Sequence, residues 1–174
     1  KNEIVTDNQM SNMANIHKSL IAAKNKCDDL IYFVEDDYIH SEDTFSEMII
    51  TYERLSSQLG RELILCPADY PYLYTKIEPS NIFLGANKHW RKVEETLCTF
   101  CTSKILLNKH WDKFVSMCQF EHYPFEQPLH DIYKLEYCLS PIPSLAIHCT
   151  NINSIFGLSP NVDWKKVWEN NRDY

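Results

Sequence analysis

The feature that most restricts the fold is a run of five apolar residues, Leu30 to Val34 (LIYFV), leading straight into three acids, Glu35, Asp36 and Asp37. A stretch apolar at every position suits a central strand covered on both faces in an α/β sheet, whereas a half-exposed hairpin strand alternates polar with apolar. Open α/β sheets bind ligands in the crevice beyond the carboxyl ends of their strands, so the three acids are candidate site residues. Adjacent carboxylates repel one another unless something positive joins them, and a hard divalent cation with oxygen ligands meets that need. A plainer role is capping of the next helix, whose N-terminus favours negative charge. Ser41 and Asp43 already stand in place for that.

The flanking segments extend the α/β pattern. Residues 11–26 set Met13, Ile16, Leu20 and Ala23 at helical spacing before Asp28-Asp29 and the strand. After the acids, FSEMIITYERLSSQL reads as a helix that Gly60 terminates, and Glu62 to Cys66 as a second buried strand entering the aromatic loop from Pro67. Asn81 to Leu84 and Thr96 to Ser103 read as paired strands joined by an exposed polar connection around His89 to Lys92. Helices are expected over Asn108 to Cys118 and Pro128 to Tyr137, a last strand over Ser144 to Cys149, and a short amphipathic helix over Asp163 to Arg172.

At 174 residues, with three glycines and no low-complexity run, the chain suits one continuous domain. Its formal charge of -7 argues against nucleic acid, which demands a basic stripe. No apolar run approaches the roughly 18–20 residues of a membrane-spanning helix, and no charged-apolar-small leader opens the chain. Seven cysteines, an odd number set mostly in apolar segments, fit free thiols in a reducing compartment, and the expected location is cytoplasmic. Cys98 and Cys101 form a lone CxxC, for which Cys118 and His122 are loosely placed partners. In a strand the two thiols face opposite sides, which favours packed thiols over zinc.

The segment LIYFVEDDYIHSEDTFSEM resembles the strand, acidic motif and following helix of GT-A fold glycosyltransferases of the family 2 type, where an EDD or DxD motif holds a metal and a nucleotide-sugar diphosphate. The preceding helix SNMANIHKSLIAAKN and the late strand PIPSLAIHC, ending in a histidine, extend the resemblance over residues 10–150. It implies a Rossmann-like mixed sheet flanked by helices, with Asp37 and His148 as metal ligands and Glu35 as a third. Asp36 and Asp37 would hold the donor, with Asn12 and Lys18 touching it from the preceding helix. The cofactor would be Mn2+ or Mg2+, the donor a UDP- or GDP-linked sugar, and the acceptor a glycan or other hydroxyl compound. Imidazole beside carboxylates suits manganese.

An inverting transfer needs a base, which the family carries in an acidic segment before the histidine strand. HYPFEQPLHDIYKLEY holds that place here, making Glu126 the first candidate and Asp131 the second, although the family's Glu-Asp pair is absent and Pro128 intervenes. His122 and His130 are lesser candidates. Tyr70, Tyr72, Tyr74 and Trp90 could stack on an acceptor sugar, and core packing explains them equally well. Compared with the family, the chain opens mid-domain, without the β-α-β unit that grips the base, so a partial domain is expected. An exposed sheet edge would then invite homo-oligomers. Metal-dependent nucleotidyl transfer is a rival chemistry, but it calls for a glycine-rich phosphate loop. A non-catalytic sugar-binding remnant is a further alternative.

Overall fold

The computed structural model describes residues 12–119, 126–150 and 152–172. Six strands form one sheet: β1 (Leu30–Phe33), β3 (Leu63–Leu65), β4 (Ile82–Leu84), β5 (His89–Lys92), β6 (Phe100–Ser103) and β7 (Tyr137–Ile142), in the order β1-β6-β3-β7-β5-β4. Only β3 and β7 pair in parallel. β2 (Tyr38–His40) and β8 (Ala146–His148) make a separate antiparallel ribbon. The helices are α1 (Asn12–Lys26), α2 (Thr44–Leu59), α3 (Lys104–Lys109), α4 (Trp111–Ser116), α5 (Gln127–Leu135) and α6 (Trp164–Asn171). The expected class, a mixed α/β sheet flanked by helices, is what the chain adopts.

Strand alternation sorts the core onto two faces. Ile64, Cys66, Phe100 and Cys138 pack against α1, α3, α4 and α5 through Leu20, Leu106, Phe114, Ile132 and Tyr133. Leu63, Leu65, Cys101 and Leu139 pack against α2 through Met48, Tyr52 and Leu55. Burying a side chain of this size stabilises the fold by about 1.5–3 kcal/mol. Cys98 and Cys101 belong to opposite faces, so the CxxC does not converge on one ion.

Several readings need correction. LIYFV is not central: β1 is an edge of the described sheet, only Ile31 of its residues is buried, and Val34 is 48% exposed. Tyr32 meets His40 and Phe45 edge-on outside the sheet and Phe33 packs on its register partner Phe100 of β6, so an edge strand reads like an inner one. The polar connection His89 to Lys92 is itself a strand, pairing β4 across the turn that Gly85 N–H closes onto the Lys88 carbonyl at 2.9 Å. Trp90 there is fully buried and Arg91 is ion-paired to Asp69, so residues that look polar in sequence are core. Phe100 to Ser103, expected to pair with residues 81–84, instead lies between β1 and β3.

A further correction is β7, an inner strand where only the end of a helix, at Tyr137, was expected. Pro141 discourages a strand reading, but it lies beyond Leu139, the last residue paired with β3. The helix expected from Asn108 starts at Lys104, because Ser103 Oγ caps it by accepting from Leu106 N–H at 3.1 Å, and it breaks at His110. Gly60 ends α2 with φ 61°, as its position suggested. Asp43 occupies the N-cap of α2, yet its carboxylate accepts from Ser41 Oγ at 2.7 Å and from no helix N–H.

Candidate functional site

The ribbon brings together residues that the sequence keeps far apart. Its register sets Tyr38 opposite His148, so Asp37, one residue before β2, lies beside the imidazole. His148 Nε2 stands 2.9 Å from Asp37 Oδ2, and Cys149 N–H donates to the Asp37 carbonyl at 2.7 Å. The other ring nitrogen, Nδ1, faces the Phe156 carbonyl at 3.2 Å. Both partners are acceptors, so the ring satisfies both only with a proton on each nitrogen, or with a cation in place of the Nε2 proton. An imidazole oriented through its far nitrogen by a backbone carbonyl is the usual arrangement of a metal-ligating histidine. Tyr38 stacks on the ring at 5.0 Å and is itself hydrogen-bonded to the Tyr70 hydroxyl.

Glu35 is fixed by Thr99, just ahead of β6: the Glu35 N–H donates to Thr99 Oγ1 at 3.1 Å, and that hydroxyl donates back to Glu35 Oε2 at 3.3 Å. Burial raises its carboxyl to about 7, and the charges of Asp37 and Glu126 push the same way; His148 and Thr99 offset them only in part. Glu126 occupies the N-cap position of α5 but caps nothing, and accepts a long hydrogen bond from Cys98 Sγ at 3.8 Å. Burial raises its pKa as well. Asp37 and His148 are thus in direct contact beyond the carboxyl end of β1, and Glu35 feels the charges of Asp37, Glu126 and His148.

The remaining candidates stand apart. Asp36 is exposed in the turn before β2, and Asn12 and Lys18 are exposed on α1. Asp131 accepts from Gln127 Nε2 at 2.9 Å within the first turn of α5, and His130 Nε2 lies 3.2 Å from the Thr96 carbonyl. His122 lies outside the described residues. The acceptor-stacking expectation is corrected for three aromatics: Trp90 is 0% exposed with its indole N–H on Glu47 Oε1, Tyr70 is 1% exposed, and Tyr72 is 5% exposed with its hydroxyl on the Glu95 carbonyl. None of the three offers a face to a sugar. Tyr74 is half exposed and donates to the buried Asp69 carboxylate.

Among the described residues no group of three or more His, Cys, Asp or Glu side chains is arranged to hold a metal ion. What converges is a pair, one carboxylate and one imidazole, a donor set that suits manganese or magnesium when substrate phosphates and water complete the shell. Sequence reasoning missed Thr99, Tyr38 and the Phe156 carbonyl, and named Cys98 only within the CxxC. Tyr38 sat inside the acidic motif and could have been found there; the others become neighbours only through the fold. No family model, curated protein or solved structure matches this chain. No helix among the described residues is long and apolar enough to cross a membrane.

Proposed function

We propose that this chain carries the metal and acceptor side of a GT-A glycosyltransferase domain, moving a sugar from a nucleotide donor to a hydroxyl acceptor. The observation that carries the reading is the 2.9 Å approach of His148 Nε2 to Asp37 Oδ2, 111 positions apart in the chain, between two residues that the resemblance to the family pairs as metal ligands. Asp37 and His148 would hold the divalent ion, and the Phe156 carbonyl and the Tyr38 ring fix the imidazole for it. The ion, Mn2+ or Mg2+, would offset charge building on the departing nucleoside diphosphate. Glu35 adds negative charge beside the pair, and Asp36, facing solvent, is free to meet a donor ribose or phosphate-bound water.

Glu126 is the acceptor's base in this reading. Partial burial raises its pKa and so makes its carboxylate a stronger base, and no capping bond competes for it. Asp131, tied to Gln127, is displaced from that role. The reading places the protein in a reducing compartment, the cytoplasm, where its free cysteines persist. Glu126→Gln tests the base directly: turnover of a nucleotide sugar should fall at least about a hundredfold while donor affinity stays within about twofold. An equal loss in Asp131→Asn with Glu126→Gln unaffected would reverse the assignment.

A non-catalytic sugar-binding reading has one observation in its favour, that only two ligands converge among the described residues. It predicts nucleotide-sugar binding that depends on metal but never leads to turnover.

A further inference from the structure

Tyr70 is the most deeply buried aromatic of the cluster it shares with Tyr38 and Tyr72, so its ring serves something inside the fold. It lies in the segment that leaves β3, anchored where Asp69 N–H donates to Ser144 Oγ at 2.8 Å. Its hydroxyl bonds to the Tyr38 hydroxyl, and its ring meets Phe156 edge-on at 5.8 Å. Each of those two partners also holds His148: the Tyr38 ring stacks on the imidazole at an interplanar angle of 21°, and the Phe156 carbonyl faces Nδ1. The contacts close a ring, from His148 to Tyr38, Tyr70 and Phe156 and back to His148.

A buried phenol needs a hydrogen-bonding partner, and the Tyr38-Tyr70 bond would meet that need anywhere in a core. Bare satisfaction does not require that both neighbours of Tyr70 grip one imidazole, Tyr38 on its face and Phe156 on its edge. The chain at Phe156 is tied to the same segment by its backbone, since Tyr72 N–H donates to the Ile155 carbonyl at 3.0 Å. The segment from Tyr70 to Tyr72 thus supports the wall that supplies the carbonyl as well as the ring that lies on the imidazole. A metal ligand keeps its aim only when the groups that support it are themselves locked.

We propose that Tyr70 is a positioning residue of the metal site, fixing the aim of His148 Nε2 toward Asp37 through Tyr38 and Phe156. The role rests on the reading of Asp37 and His148 as a metal pair, and it replaces the acceptor-stacking role that burial denies to Tyr70.

Electron paramagnetic resonance of Mn2+ with UDP, and then GDP, present reads the role on the full chain. Tyr70→Phe keeps the ring against Phe156 and removes only the hydroxyl; it should lower Mn2+ affinity at least about threefold. Tyr38→Phe should do the same, and the double variant should lose little more than either single, because one hydrogen bond joins the two. In a His148→Gln background, Tyr70→Phe should change the affinity by less than about twofold. Tyr52→Phe is the control for general loosening: its buried hydroxyl donates to Glu62 Oε2 at 2.6 Å at the other end of the sheet, and its removal should leave Mn2+ affinity within about twofold. A loss under about threefold in Tyr70→Phe, an equal loss in Tyr52→Phe, or an undiminished effect in the His148→Gln background would overturn the proposal while leaving the metal pair in place. A parent chain that binds no Mn2+ would overturn the metal reading, and the role with it.

Discussion

Glu136 stands where the chain enters β7 and Glu35 where it leaves β1, at opposite ends of one sheet, and burial pushes both carboxyls upward. Their company differs. Lys109 Nζ and His110 Nε2 approach Glu136 to 2.7 Å and Arg61 Nη2 to 3.0 Å, and together they outweigh burial and hold its carboxyl down to about 2. Glu35 has one hydroxyl and two neighbouring acids, and rises to about 7. Glu47, 1% exposed under the β4-β5 turn, follows the Glu136 pattern with donors from Thr51, Trp90 and the N–H groups of Asn87 and Lys88. Carboxylates that serve the fold come with their donors. Those beyond the carboxyl end of β1 have one side-chain partner each, Thr99 for Glu35 and His148 for Asp37, as expected of a site where a cation from outside completes the charge balance.

Removing a donor-rich carboxylate should cost the most. Glu47→Ala strands a buried indole N–H and two backbone N–H groups, and should destabilise the chain by about 3–5 kcal/mol in urea unfolding. A loss under about 1 kcal/mol would break the comparison.

Glu35→Gln should act with the opposite sign. The folded carboxyl near 7 keeps a proton that the unfolded chain releases near 4.5, so its penalty grows as pH rises between those values and is full above them. The variant should be more stable than the parent by about 2 kcal/mol at pH 8 and nearly equal to it at pH 5. Destabilisation at pH 8 would mean that Glu35 serves the fold.

Glu136 should give the smaller effect and the mirror-image pH dependence. Its folded pKa lies below the unfolded value, so its contribution is full above about 4.5 and is lost as pH falls toward 2. Allowing for solvent around the largely exposed Lys109, Glu136→Gln should remove about 1–2 kcal/mol at pH 7 and flatten the acid limb of the stability curve. An unchanged acid limb would count against the ion cluster.

One contact of the candidate site was more legible in the sequence than part of the sheet around it. The acids after LIYFV and the late histidine after SLAI are local patterns at strand ends, and the fold sets Asp37 beside His148. The inner strand β3 was legible as the run Glu62 to Cys66, but β5 was not, because what makes Trp90 and Arg91 core is their pairing with Glu47 and Asp69, far off along the chain. β7 was hidden by Pro141 for a similar reason, since strand neighbours and not composition decide where a proline is tolerated. Thr99 has no local signal at all; its hold on Glu35 spans 64 positions.

The central claim, that Asp37 and His148 share one cation, is tested most directly by a double-mutant cycle on Mn2+ affinity, read by electron paramagnetic resonance at pH 8 with UDP or GDP present. Asp37→Asn, His148→Gln and the double variant should each lose at least about tenfold in affinity, with the double losing little more than either single, because both residues act on one ion. Losses that simply add, or a parent chain that binds no Mn2+, would contradict it.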